Sequence, residues 1–183
     1  MKMILSIVLS SLCFVGCKTS NTADSVKIAN QQNEDKAKNG TVDNDAAMFL
    51  VKIADARMMG AKEGALAVKR GTTIEIKNYG KLMVKDQGEL MAKIKMIAAD
   101  MNISLPKEIS ADKKDGLKGL EEKNGEAFDE KFCKMMKIDH ERDVKDFTAA
   151  IENLKDSRAK AFAVSNLPLI QMHLDGINEI KKK

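Results

Sequence analysis

Apolar residues recur with the 3.6-residue period of an α-helix in four long segments of this chain, and this pattern constrains the fold more than any other feature. The segments span about residues 45–69, 72–101, 126–154 and 157–180. One β-like run, TTIEI at residues 72–76, is too short to compete with them. Abundant Ala, Lys, Glu, Met and Leu, with aromatics at 4% and no Trp, also favour helices. The sequence therefore predicts an all-α domain.

The connections between the segments predict how the helices pair. Gly71 ends the first helix, and the Thr72 to Glu75 spacing is typical of a capping box at the start of the second. Pro106 ends the second helix, and a polar connection with a short helix capped by Ser110 leads to the third. Because the first and last connections are short, each joins antiparallel neighbours. We therefore predict an antiparallel four-helix bundle with a longer connection between helices 2 and 3.

The first seventeen residues, MKMILSIVLSSLCFVGC, predict export from the cytoplasm. Lys2 precedes an apolar stretch at residues 3–15, which is long enough for a signal peptide and too short to span a bilayer. The ending FVGC resembles a bacterial lipobox, with Phe14 where Leu is usual, so we expect a signal peptide over residues 1–16 and lipidation of Cys17. Several acyl chains on Cys17 would anchor the protein stably to a membrane. The alternative is secretion of a protein without a lipid.

Residues 17–44 predict a flexible tether between this anchor and the folded domain. They contain no aromatic residue, and Val26 and Ile28 are the only large aliphatics before Val42. Such a segment buries too little apolar surface to offset the entropy lost on ordering. A short transient helix near residues 25–36 is an open alternative. The bundle domain is then expected at residues 45–183.

Composition excludes some classes of function and gives little support to others. The net charge of +4 is modest and the two signs are interspersed, which is unlike a nucleic-acid-binding surface. With Cys13 in the signal peptide and Cys17 acylated, Cys133 would be the only thiol, so no intrachain disulfide is expected. No Ser-His-Asp or Cys-His arrangement can be assembled from the pattern, so an enzymatic role is disfavoured.

Polar residues interrupt the apolar stripe on three of the four predicted helices. Each lies three or four residues from apolar neighbours on both sides, so each should face the interior: Gln87, His140 and His173. Asp86 and Asp139 directly precede two of them and point about 100 degrees away, as surface or supporting residues. On the first helix, Gly60 and Gly64 face inward, and Glu63 is interpreted as a solvated charge.

Two interpretations of these inward polar residues remain open. Helical bundles build metal sites from histidines and carboxylates on facing helices, so His140 and His173, the only two histidines, could bind a transition metal. Alternatively, Gln87, His140 and His173 form a hydrogen-bonded cluster that specifies how the helices pair. A histidine on an apolar face is more often a satisfied core residue than a ligand, so we expect no cofactor.

Several motifs resemble a known bacterial family. They are DAAMFLVKIADARMMG, YGKLMVKDQ, ISLP, GEAFDEKFCKMMKIDHERDVKDF and KAFAVSNLPLIQMHL, which together span about residues 45–180. This combination is similar to the ferritin-like family known as domain of unknown function number 4142. The resemblance implies a ferritin-like bundle and no established activity. Family members are often labelled outer-membrane or periplasmic proteins, and many from Bacteroidetes are lipoproteins.

The family pattern also implies a fuller polar set than this chain carries. Members commonly have a Glu where our register places Gly60, a His where Gln87 stands, and histidines matching His140 and His173. Two of four positions therefore depart here, which weakens the metal hypothesis. The resulting expectation is an envelope lipoprotein, anchored in the outer membrane and facing the periplasm, with a non-catalytic binding or stress-related role. The alternative is a metal-binding or oxidant-handling protein that uses His140 and His173.

Overall fold

The structure is a computed structural model that describes residues 24–181, and all regular structure in that range is helical. Its six helices are α1 Ser25–Lys38, α2 Asn44–Arg70, α3 Ile74–Asp100, α4 Ala111–Glu121, α5 Gly125–Asn153 and α6 Ser157–Lys181. The all-helical prediction and the bundle architecture are confirmed, although the helices number six rather than four. Within the described range, no helix is both long and apolar enough to cross a bilayer.

The four long helices begin and end within two residues of their predicted bounds, with one difference in capping. The predicted capping residue of α3, Thr72, lies one position too early: the Thr73 side chain accepts the Ile76 N–H at 3.3 Å. Thr72 instead donates its hydroxyl to Asp129 on α5. Thr72 therefore ties the start of α3 to a neighbouring helix.

The segment expected to be a flexible tether contains a docked helix from residue 25 onward. On α1, Ala29 and Asn33 are buried against the bundle. The Asn33 amide donates to Ser104 O at 2.9 Å and accepts the Ser104 N–H at 2.7 Å. These two bonds satisfy the backbone of the long connection after α3, so α1 docks through polar contacts despite its few apolar residues. The signal peptide and Cys17 lie outside the described residues.

The interior of the bundle is divided along its length into two apolar clusters and a polar zone between them. The first cluster is centred on Phe49, Phe147 and Phe162, and the second on Tyr79, Phe128 and Phe132. Along every long helix, buried polar residues separate the residues of one cluster from those of the other. We call this set the polar layer: Arg57, Glu63, Asp86, Gln87, His140, Asp143 and His173.

Glycines let α2 and α3 approach closely beside the polar layer. A Cβ on Gly64 would lie 2.8 Å from the Gly80 carbonyl oxygen and 2.8 Å from Met83 Cβ. A Cβ on Gly80 would likewise lie 2.7 Å from the Gly64 carbonyl oxygen, so the close packing of the two backbones restricts Gly64 and Gly80 to glycine. The three-residue connection from Gly71 to Thr73 makes the two helices antiparallel.

Candidate functional site

His140 lies in the polar layer with one ring nitrogen bonded and the other unpartnered. Its Nδ1 is 2.7 Å from Met136 O, and a carbonyl can only accept, so Nδ1 carries the proton. Burial is the main cause that lowers the pKa of His140, to about 4, so the ring is neutral at pH 7. Nε2 is consequently an acceptor, and it has no partner within residues 24–181.

His173 shows the same asymmetry on α6. Its Nε2 is 2.9 Å from Asp86 Oδ2, and burial lowers its pKa while the Asp86 carboxylate opposes that shift. The neutral ring therefore donates its Nε2 proton to Asp86 and leaves Nδ1 as an acceptor without a partner in the described range. The His140 and His173 rings are 5.4 Å apart between centroids and nearly perpendicular, at 86°. Asp86 thus supports a histidine rather than facing solvent.

Gln87 completes the set of inward polar residues that the sequence indicated. Its amide nitrogen has one weak contact, to Met83 Sδ at 3.6 Å, and its Oε1 is buried without a partner among the described residues. A Cβ on Gly60 would lie 3.2 Å from Gln87 Cδ, so Gly60 makes room for this side chain. The structure therefore places Gln87, His140 and His173 in one buried layer.

Glu63 is buried, and its interpretation as a solvated charge is wrong. Its side chain is 0% exposed, and neither carboxylate oxygen has a hydrogen-bond partner within residues 24–181. Burial raises the pKa of Glu63 well above its usual range, and the nearby carboxylates of Asp139 and Asp143 raise it further. Glu63 follows the inward Gly60 by three residues, and that spacing could have identified it.

Two further charged residues of the layer, Arg57 and Asp143, were also not predicted from the sequence. Arg57 on α2 forms an ion pair with Asp143 on α5, and Arg57 is only 1% exposed. Arg57 follows the buried Ile53 by four residues, which is the spacing that would have predicted an inward side chain. The pair joins α2 to α5 across the layer.

A cavity of about 260 Å³ opens onto this layer between α2, the start of α4 and α5. Glu63 and His140 contribute polar atoms to its wall, and Met59 and Met136 contribute apolar surface. The start of α4 covers one side of the cavity, because the Ser110 N–H donates to Asp55 at 2.8 Å. The rim includes further ion pairs: Lys113 with Asp55 at 2.9 Å, Arg142 with Asp139 at 3.1 Å and Lys52 with Asp146 at 2.6 Å.

The layer does not form a complete metal site from protein side chains. Within residues 24–181, no three His, Cys, Asp or Glu side chains are grouped so that they could hold a metal ion. Cys133 is buried in the second apolar cluster, whereas His140 belongs to the polar layer. The two histidines therefore provide two potential nitrogen ligands and the wall carboxylate of Glu63 lies outside a common coordination sphere.

Comparisons with known proteins agree with the helical fold and identify no activity. A family model described as "Domain of unknown function (DUF4142)" matches residues 31–180. The crystal structure of a DUF305 fragment from Deinococcus radiodurans is similar, with a TM-score of 0.67 and 11% identity. That similarity covers 76% of this chain and 96% of the fragment, and at this identity it speaks for the fold alone. No protein with a curated description matches the chain.

Proposed function

Since this chain belongs to the family defined by domain of unknown function DUF4142, we propose that it is an envelope lipoprotein whose helical bundle binds a small ligand without catalysing a reaction. Its place is the outer membrane, facing the periplasm, with Cys17 as the lipid anchor. The family description assigns no activity, so the proposal rests on the polar layer and on the sequence of the first seventeen residues.

One observation carries the binding function: four side chains of the polar layer have buried acceptor atoms without partners in the described part of the chain. They are Glu63, Gln87, His140 and His173. Each unsatisfied buried polar group costs on the order of 1–3 kcal/mol of folding free energy. A ligand or ordered water that hydrogen-bonds to these atoms would offset that cost. The accessible cavity beside Glu63 and His140 supports a ligand there.

The hydrogen bonds of the two histidines support binding rather than catalysis. His140 bonds to the Met136 carbonyl and His173 bonds to the Asp86 carboxylate. Neither partner is a hydroxyl or thiol that a histidine would activate as a nucleophile. The layer also holds two unpartnered donors, Nε and Nη1 of Arg57, so a ligand could find both donors and acceptors there.

Native mass spectrometry of protein purified from its own membranes tests the binding function. The expected result is an added mass that is present under native conditions, absent after denaturation, and lost in Glu63→Gln and in His140→Ala. The matched control Glu152→Gln changes an exposed carboxylate on α5 and should retain the mass. Identical native and denatured masses in the unmodified protein would contradict a bound ligand.

Membrane fractionation tests the anchor separately. Cys17→Ser removes the thiol that would carry the acyl chains, so the protein should move from the membrane fraction to the soluble one. Cys13→Ser changes the other cysteine of the same apolar stretch and should leave the protein in the membrane. Membrane retention of Cys17→Ser would contradict lipidation.

A second candidate, binding of a transition metal by His140 and His173, is favoured by their tautomers. Metal-bound histidines usually donate their other ring N–H to a carbonyl or a carboxylate, as both of these do. Elemental analysis of natively purified protein and of His140→Ala and His173→Ala separates the candidates. Stoichiometric metal that is lost in both variants would favour the metal site. Absence of metal, with lower thermal stability of both variants, would favour a hydrogen-bonding role.

The finer fold assignment, a ferritin-like antiparallel four-helix bundle, is part of the same proposal. It is supported by four helices of 27, 27, 29 and 25 residues, which are α2, α3, α5 and α6. In this assignment two helices are additions to the bundle: α1 covers the long connection after α3, and α4 covers one side of the cavity. An experimental structure in which the long helices pair differently would overturn it.

A further inference from the structure

We propose that the cavity between α2, α4 and α5 binds a small aliphatic ammonium ion, with its charged head against Glu63 and His140. This inference rests on the proposed function, because it names the ligand class for the same polar layer.

Among the residues that line the cavity, the buried polar atoms without partners are all hydrogen-bond acceptors when Glu63 is ionised. They are the two carboxylate oxygens of Glu63 and the Nε2 of His140, whose Nδ1 already donates to Met136 O. A ligand that satisfies this wall must therefore bring donors. An alkylammonium head brings three N–H donors together with a positive charge.

Ion pairing around the cavity leaves Glu63 as the buried wall carboxylate that has no cation partner in the described residues. Asp112 also lines the cavity but is exposed to solvent at the start of α4. On the rim, Asp55 pairs with Lys113, Asp139 with Arg142 and Asp146 with Lys52, and deeper in the layer Asp143 pairs with Arg57. Glu63 has no ion pair within residues 24–181 and is 0% exposed. Lys113 and Arg142 lie near enough to lower the pKa of Glu63, but they pair with Asp55 and Asp139, so a bound cation would supply the direct ion pair that Glu63 lacks.

Size and lining favour an organic cation over a metal ion. The cavity of about 260 Å³ equals the volume of roughly nine liquid water molecules at ~30 Å³ each, which suits a short alkyl chain better than a bare ion. Ala56, Met59 and Met136 line it with apolar surface that such a chain would cover. No group of three metal-ligating side chains is present in the described range, so a metal would have to complete its coordination from outside the protein.

Binding of the ammonium to a molecule in which Glu63 is protonated would release one proton to solvent. The protonated Glu63 carboxyl loses its O–H proton, the resulting carboxylate pairs with the ammonium, and the ammonium keeps its own three protons. Asp139 and Asp143 from α5 raise the pKa of Glu63 further, whereas Lys113 from α4 and Arg142 from α5 lower it. The apparent affinity should therefore rise about tenfold per pH unit below the pKa of Glu63 and level off above it.

Isothermal titration calorimetry with butylammonium chloride on the full-length protein in detergent tests the proposal. We expect saturable binding that tightens as the pH is raised from 5 toward 8. Titrations in two buffers of different ionisation enthalpy should show proton release on binding at the pH values where the affinity depends on pH. Glu63→Gln should weaken binding at least tenfold, whereas Glu152→Gln should leave it unchanged.

Each alternative outcome has a distinct meaning. Butylammonium binding that Glu63→Gln leaves unchanged would overturn the proposal, provided that thermal unfolding shows the variant to be folded. If Glu63→Gln does not fold, His140→Ala provides the same comparison through the other cavity acceptor. Binding of zinc chloride but not of butylammonium would overturn the ammonium ligand and leave the ligand-binding function intact. Failure of both probes, with no native added mass, would overturn the two together.

Discussion

The apolar clusters and the polar layer are built from the same four long helices. The clusters bury apolar side chains in contact with one another, whereas the layer buries polar side chains, several of which have atoms without partners in the described residues. In the first cluster, Phe49 packs edge-on against Phe147 at 5.5 Å between ring centroids, and Phe162 lies 5.9 Å from Phe147. Apolar burial of this kind is directly stabilising. In the layer, Glu63 and Arg57 are as inaccessible as those rings, but they retain polar atoms without partners in the described residues.

This difference separates the parts of the molecule that maintain the fold from the part available for a function. The two apolar clusters pack the helices against one another on either side of the layer. Replacing both partners of a buried polar pair by apolar groups of similar shape is often neutral or stabilising, so polar groups in such positions need another explanation. Ligand binding and specification of helix pairing are the two candidates that the geometry supports.

The largest expected effect is loss of an aromatic ring from the first cluster. Phe147→Ala should lower the free energy of unfolding by about 3–5 kcal/mol, because it removes contacts to two other rings and leaves a cavity. Urea denaturation followed by circular dichroism measures this change. The control Ile138→Ala, at a 44% exposed position on the same helix, should change the value by less than about 0.5 kcal/mol. Equal effects of the two variants would contradict the division of the interior.

The next effect concerns the buried ion pair of the layer. Arg57→Met should cost about 3 kcal/mol, because it leaves the Asp143 carboxylate buried without its cation. The double variant Arg57→Met/Asp143→Leu removes both charges and should recover most of that loss. Urea denaturation of the two variants gives the comparison. A double variant that is as unstable as the single one would show that the pair itself, rather than the orphaned charge, stabilises the fold.

A smaller effect is the acid sensitivity of the layer. The pKa of His140 is lowered from its usual value of 6.5 to about 4, so the neutral ring contributes stability above pH 6.5 that is lost as the pH falls toward 4. Between pH 7 and pH 5 this amounts to about 2 kcal/mol. Urea midpoints at the two pH values should show the loss in the unmodified protein and a much smaller one in His140→Leu.

The pKa of Glu63 is shifted in the opposite direction to that of His140, so its effect on stability has the opposite pH dependence and serves as the control. Its raised pKa means that its contribution is present below the unfolded value of 4.5 and is lost as the pH rises through the folded value. Glu63→Gln should therefore be more stable than the unmodified protein at pH 7 and no more stable at pH 4. A variant that is destabilised at pH 7 would show that the ionised carboxylate has a partner in the protein.

Helix positions and the polar interruption of each stripe could be predicted from periodicity, whereas the full membership of the layer could not. Gln87, His140 and His173 stand out because their neighbours at helical spacing are apolar. Glu63 and Arg57 lie at equally inward spacings, but charged residues are usually solvated. Glu63 was assigned to solvent by that rule, and Arg57 was not singled out. Their burial depends on coverage by α5, a contact between segments far apart in the sequence.

The docking of α1 could not be predicted from the sequence for a related reason. Its sequence has few apolar residues, and composition alone predicts that such a segment stays unfolded. The structure holds it through Asn33, whose amide bonds both backbone groups of Ser104 across 71 residues of sequence. A side chain that matches a distant backbone leaves no periodic signal.

The smallest expected changes in the free energy of unfolding are those of Gly→Ala substitutions inside and beside the polar layer. Gly64→Ala would press its Cβ against the Gly80 backbone oxygen, so overpacking should cost about 1–3 kcal/mol. Gly60→Ala meets the flexible Gln87 side chain at 3.2 Å, and the gain in helix propensity of ~1 kcal/mol should nearly cancel the strain.

Gly88→Ala is the reference for these two variants, because a Cβ there meets nothing within 4 Å and only the gain in helix propensity remains. Urea denaturation should rank the stabilities Gly88→Ala, Gly60→Ala and Gly64→Ala from highest to lowest. If Gly60→Ala is as damaging as Gly64→Ala, then Gln87 is held firmly in place. A rigid Gln87 would mean that the layer is packed at this point as tightly as the apolar clusters, which would leave Gln87 no freedom to turn its unpartnered Oε1 toward a ligand.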